Sequence, residues 1–193
     1  MDMVRVSEYV GFVGFLLWAS VERGFGLLSQ QQAEGQAQDQ GSFRLISVCW
    51  YGATLFALLD AWTLGWTTFR SPLWALRAIG AILIVGGLAM RIIARRALGK
   101  QYSVRVETSD AHQLVTEGVY RVLRHPAYLG LVGLLLGIPL CEGSWGGLAL
   151  AVAAGMPAII YRIQVEERSL SRWFGQDYEQ YKKGTWRLIP HLW

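Results

Sequence analysis

The chain has 193 residues, of which 53% are hydrophobic and 12% aromatic, and only 17% are charged. Soluble domains carry about 25% charged residues, so this composition speaks against a water-soluble enzyme and for a bilayer protein. The net charge of +4 could mark a nucleic-acid binder, but the arginines stand at the ends of apolar runs; that pattern fits anionic lipid and a cytosolic rim, with no nucleic acid as partner.

A membrane-spanning helix needs about 20 mainly apolar residues. The first candidate runs from about Tyr9 to Leu28. It lacks a small-residue cleavage site and a strongly basic start, so it reads as a retained helix rather than a signal peptide. Glu22 and Arg23 interrupt it; as adjacent residues they do not share a helix face, and they read as a helix end reaching the membrane surface. Ser29 to Ser42, rich in Gln, Gly and Ala, reads as a polar loop without evident chemistry. The second candidate runs from about Leu45 to Trp66 and contains Asp60, which reads equally as a functional acid or as a residue near the outer surface. After a turn from Thr67 to Pro72, the third runs from about Leu73 to Ile93, with Gly80, Gly86 and Gly87 permitting close helix packing. Arg91, Arg95 and Arg96 then mark a cytosolic end.

Residues Ala97 to Arg124 form a polar connector, with strand-like alternation from Tyr102 to Val106 and a capping pair at Ser109-Asp110. Two short apolar runs follow, Tyr128 to Cys141 with Pro139 and Trp145 to Tyr161 with Pro157, joined by Glu142-Gly143-Ser144. They read as a helical hairpin. Beyond Arg162 the chain is amphipathic, with Leu170, Trp173, Phe174, Tyr178 and Tyr181 near helical spacing and Gly175 as a break. Nine tryptophans suit the headgroup zone. Cys49 and Cys141 lie far apart and read as small apolar residues rather than a disulfide or metal motif. With five spans and the N-terminus outside, only Arg5, Arg70 and Arg77 of the 18 Lys and Arg fall outside. The connector and the C-terminal segment then share the cytosolic side of a plasma membrane, in a chain whose brevity looks prokaryotic. The expected architecture is an all-α integral membrane protein with about five transmembrane helices, three of them within residues 1–96 and the hairpin within a catalytic region, 97–193.

Two polar clusters flank the hairpin. In Arg124-His125-Pro126 the proline keeps His125 out of helix and suits the first turn of the next helix, where free N–H groups attract anions. Tyr128 and Gly130 lie one turn in. Read by themselves, these residues fit a cap with interface anchors as well as a site. Arg162 alone reads as a snorkelling anchor, and Glu166-Glu167 as a solvated acidic pair. Charges of both signs gathered on one membrane face make the less common pattern.

Leu114-Val115-x-x-Gly118-x-Tyr120, Arg124-His125-Pro126-x-Tyr128-x-Gly130, Arg162 with Glu166-Glu167, Phe174-Gly175-x-x-Tyr178-x-x-Tyr181 and Arg187-x-x-Pro190 occur in this order. In that series the chain resembles the isoprenylcysteine carboxyl methyltransferase family, itself similar to phospholipid N-methyltransferases, from His112 to Pro190. Val119 departs from it, standing where the family commonly has proline, which predicts a looser turn. The resemblance implies S-adenosyl-L-methionine as methyl donor, in a pocket between the connector and the C-terminal helix. It implies that His112, Leu114, Val115, Gly118, Tyr120, His125, Pro126 and Tyr128 line that pocket, and that Glu167 holds a polar part of the cofactor. It implies that Arg124, Arg162 and Glu166 act on a prenylated or other lipidic acceptor entering from the bilayer. Glu166 and Glu167 remain alternatives for the cofactor role.

Methyl transfer from a sulfonium is an in-line displacement, helped chiefly by positioning. A carboxylate acceptor, with a pKa of about 3.5, is already ionised and needs orientation, which the planar fork of arginine supplies. An amine acceptor must first lose a proton to a base. Two arginines favour the carboxylate; a phospholipid amine and an NADPH-dependent sterol-type reductase remain alternatives.

Overall fold

The computed structural model describes residues 3–30, 36–37, 41–69, 74–99, 107–108 and 114–191. Their architecture is helical. Helix α1 is Met3–Gln30, α2 is Ser42–Leu59 and α3 is Trp74–Leu98. Helix α4 is Pro126–Glu142, α5 Trp145–Leu150, α6 Met156–Phe174 and α7 Gln176–Lys183. Two-residue strands β1, Gln36–Ala37, and β2, Glu107–Thr108, pair antiparallel. The expected alternation at Tyr102–Val106 and the cap at Ser109-Asp110 lie outside the described residues.

Among the described residues, three helical stretches are long and apolar enough to cross a membrane: Ser42–Leu64, Trp74–Leu98 and Trp145–Phe174; Pro126–Glu142 is a shorter apolar helix. The last long stretch overruns the expected end at Tyr161. Nothing between Arg162 and Trp173 breaks a helix, and Gly175, at φ +54°, ends it. Pro157 does not end it either. Proline removes an N–H and crowds the preceding turn, and the backbone accommodates this with a π turn at Ala151–Gly155, just before α6.

Helices α3 and α4 pack backbone to backbone. A Cβ at Gly87 would lie 2.7 Å from the Gly130 carbonyl oxygen, and one at Gly80 would lie 2.8 Å from that of Gly137. Small residues at such a seam let dispersion contacts and weak backbone interactions form. Gly86, expected to share this role, faces open space. Gly130 likewise serves helix packing, against Gly87 and Arg91. The core gathers Trp18, Ile46, Trp50, Ile84, Leu134, Leu135, Ile138, Ile159 and Ile163. Trp18 and Trp50 are buried and pack against each other with ring centroids 3.9 Å apart and planes tilted by 34°, so these two indoles are core residues, unlike Trp66 and Trp74, which are 73% and 68% exposed.

Both ends of the bundle are closed by buried polar groups. At the end where α4 begins, Arg91 and Arg95 of α3 both pair with Glu22 of α1. Glu22 is therefore an interhelical ion-pair partner rather than part of a helix end reaching the membrane surface. Arg91 also donates to the Ala127 carbonyl at 2.8 Å, tying α3 to the first turn of α4. At the far end Asp60 is fully buried. It accepts from the N–H groups of Trp66 and Thr67 at 2.8 and 3.0 Å and from the Ser144 hydroxyl at 2.6 Å. It is thus a brace between the end of α2 and the start of α5, rather than an acid at the surface. Glu142, also buried, accepts from the Trp62 indole at 2.9 Å, and Arg77 donates to the Cys141 carbonyl at 2.8 Å.

Candidate active site

The segment leading into α4 is built by glycine and proline. Gly118 has φ +60°, which disfavours any side chain, and it opens a 3₁₀ turn, Gly118–Arg121. The Val119 carbonyl accepts from Val122 and Leu123 at 3.3 and 3.1 Å. The turn is therefore closed without the proline that the family resemblance led one to expect. His125 stands at φ −126°, ψ 54°, out of helix, and Pro126 takes the first helical position. The C-terminal segment lies alongside: Arg124 N–H donates to the Trp186 carbonyl at 2.7 Å, His125 N–H to that of Arg187 at 3.0 Å, and Trp186 N–H to that of Val122 at 2.9 Å. Tyr181 of α7 donates to the Tyr120 carbonyl at 2.6 Å. Burial pushes the Tyr181 phenol up to about 12, and it raises that of Tyr178 as well. Both phenols are thus proton donors at neutral pH.

The structure brings Arg124, His125, Tyr128, Arg162, Glu166 and Glu167 together, yet it treats the two glutamates differently. Glu167 is buried. It accepts from Arg124 Nε at 3.0 Å and from Arg187 Nε at 3.0 Å, and it lies 3.4 Å from His125 Nε2. Arg124 spends further donors on the Lys182 and Thr185 carbonyls. The Arg124–Glu167 pair is therefore committed to holding the C-terminal segment against the start of α4. Glu166 keeps 30% of its side chain exposed and lies 4.0 Å from His125 Nδ1. It accepts from the Tyr128 hydroxyl at 2.7 Å, and that hydroxyl accepts from Arg162 Nε at 3.0 Å. Arg162 and Glu166, four residues apart on α6, share a face, with Tyr128 of α4 bridging them.

Leu114 and Val115 are half-buried in the irregular stretch before the turn, and Tyr120, within the turn, is buried. His112 lies outside the described residues. Two groups escaped the sequence reading. Arg187, part of the motif series but given no role, is a partner of Glu167. Ser42, at the end of the supposedly inert loop, accepts from Arg162 Nη1 at 2.7 Å; its placement after Gly41 and before an apolar run was the available signal of a helix start.

A family model described as Phospholipid methyltransferase matches residues 76–177, which include α3, α4 and the whole charged face of α6. The chain belongs to the phospholipid methyltransferase family. Among curated relatives, this family member is 32% identical over 151 residues to protein-S-isoprenylcysteine O-methyltransferase of Dictyostelium discoideum, covering 72% of this chain and 60% of that one. It is 38% identical over 125 residues to the Xenopus laevis protein of the same name, covering 61% and 41%. It thus spans about half the length of these curated relatives. A solved structure of the eukaryotic intramembrane Ras methyltransferase ICMT (isoprenylcysteine carboxyl methyltransferase) superposes with a TM-score of 0.55 at 26% identity, covering 76% of this chain and 52% of that one.

Proposed function

We propose that this phospholipid methyltransferase family member is a membrane enzyme that methylates the carboxylate of a prenylcysteine-like or other lipidic acceptor, using S-adenosyl-L-methionine. The observation that carries this reading is the bridge Arg162–Tyr128–Glu166. It sets a cation and a part-exposed carboxylate side by side beneath the N-terminus of α4. The residues fit the cofactor. Its ammonium and ribose hydroxyls call for a carboxylate acceptor, which Glu166 supplies, and the positive end of the α4 dipole suits its carboxylate. The buried Tyr178 hydroxyl has no hydrogen-bond partner among the described residues and offers a further donor. When bound, the sulfonium supplies an activated methyl group.

Everything else is asked of the chain. Glu166 rather than Glu167 is the cofactor carboxylate in this reading, because Glu167 is already occupied by Arg124, His125 and Arg187. Arg162 orients the ionised acceptor with its planar fork. Arg124 acts through Glu167, holding the C-terminal segment in place. The acceptor enters from the bilayer between helices. Helices α1 to α4 and the α5–α6 rod make five crossings, with the N-terminus outside and the site on the cytosolic face, the basic side of the chain. Residues 97–193 carry the catalytic groups, with α3 as their packing partner.

Binding tests the cofactor. S-adenosylhomocysteine should raise the thermal unfolding midpoint of the purified protein, and NADPH should leave it unchanged. A shift with NADPH alone would instead support a reductase.

A further inference from the structure

The register of α3 on α4 fixes how deep the start of α4 lies in the bundle. Gly87 meets Gly130 and Gly80 meets Gly137, so the two helices run antiparallel. The first turn of α4 stands level with Arg91, which bonds the Ala127 carbonyl. From Arg91, helix α3 continues to Leu98, about 10 Å further. Along that extension Ile93 is 51% exposed, and Arg96 is the one exposed charge of α3. Helix α3 is long and apolar enough to cross a membrane, and its outward apolar surface runs past the level at which α4 begins. The segment that leads into α4 therefore falls at the level where hydrocarbon gives way to headgroups.

That segment is no membrane helix, yet it is apolar on its outer side. Val122 is 50% exposed, and its carbonyl accepts from Trp186 N–H at 2.9 Å. Trp186 and Ile189, on the C-terminal segment bonded alongside, are 39% and 46% exposed. Leu123 and Leu188 of the same two segments are buried, so the inner apolar side chains serve the core and the outer ones do not. Exposed Arg121 and Lys183 flank these segments in sequence; the exposed acids of the adjoining elements are Glu117, Asp177 and Glu179, the last paired with Lys182 at 2.7 Å. Tryptophan and aliphatic side chains beside long cations suit the boundary between acyl chains and phosphates. We propose that Val122, Trp186 and Ile189 form a membrane-contact edge, seated in the phospholipid leaflet at the start of α4. Arg124 and His125 follow Val122 closely in the chain, so the edge holds their ion cluster at headgroup depth, where the polar end of a lipid lies. This goes beyond the proposed reaction and rests only on the bundle lying in a membrane.

The test places a nitroxide spin label on the full-length protein in phosphatidylcholine nanodiscs, at Val122→Cys and Ile189→Cys in separate variants. Cys49→Ser removes the half-buried native thiol, and Cys141, fully buried, stays in place. Labels at Val85→Cys, a residue of α3 that is 66% exposed, and at Gln180→Cys, exposed on α7, give the reference values for lipid and for water. Oxygen concentrates among acyl chains and a nickel chelate stays in water, so power saturation with each reads the surroundings of the label. Labels at 122 and 189 should show oxygen access above nickel access, as at 85 and opposite to 180. Nickel access equal to that at 180 would overturn the proposal, because the edge then lies in water. Low access to both reagents would also overturn it, marking a surface covered by the chain itself. A label at 85 that reads as water would remove the membrane seating of the bundle, and the proposal with it. Failure of methyl transfer to a carboxylate would leave all four readings unchanged, so the two ideas fail separately.

Discussion

Glu166 and Glu167 are neighbours in sequence with opposite environments. Successive helix residues point about 100° apart, so α6 turns Glu167 into the packed C-terminal segment and Glu166 toward Tyr128 and solvent. Removing one member of a buried ion cluster leaves the others desolvated and unpaired, at a cost of about 3–5 kcal/mol. Glu167→Ala removes the carboxylate shared by largely buried Arg124 and part-exposed Arg187, both of which now donate to it. It should lower the unfolding midpoint markedly in a thermal scan. Glu166→Gln should leave that midpoint nearly unchanged and weaken S-adenosylhomocysteine binding at least tenfold in a titration. The reverse pattern would return the cofactor role to Glu167. The residue types of this cluster were legible in the sequence, because charge of both signs beside apolar runs is uncommon. The division of labour was not. It depends on Arg187 and on the carbonyls of Lys182 and Thr185, and nothing in the local pattern around residue 167 shows that the chain returns there.

At the scale of elements, apolar length was the strong signal. It located the stretches that became α2, α3, α4 and the α5–α6 rod, since about 20 apolar residues have few other uses. It misjudged the end of the last one. Arg162 looked like a terminus, yet a buried arginine bonded to hydroxyls on two other helices is compatible with a continuous helix. Glycine spacing announced close packing on α3, but periodicity could not tell which of Gly86 and Gly87 faces the partner. The contact at Gly87 gives a sharp expectation. Gly87→Val would drive a side chain into the backbone of α4 near Gly130. Overpacking of this kind costs about 1–3 kcal/mol, and more where backbone cannot yield. The unfolding midpoint should fall, while Gly86→Val, facing open space, should leave it unchanged.

Across the whole molecule, long-range pairs tie the N-terminal helices to the site: Glu22 with Arg91 and Arg95, and Ser42 with Arg162. Such pairs are invisible to local pattern, since each partner alone reads as a helix end or a loop. They make the first two helices part of the frame that orders the start of α4 and the face of α6. The function proposed for that frame is transfer of a methyl group to a lipid carboxylate. Its most direct measurement is transfer from S-adenosyl-L-methionine labelled in the methyl group to N-acetyl-S-farnesylcysteine and to phosphatidylethanolamine, followed by mild alkaline hydrolysis. Label is expected in the farnesylcysteine product, in a form that base releases as volatile methanol, because an ester forms. Base-stable label in the phospholipid, with none in farnesylcysteine, would contradict it and mark an amine methyltransferase.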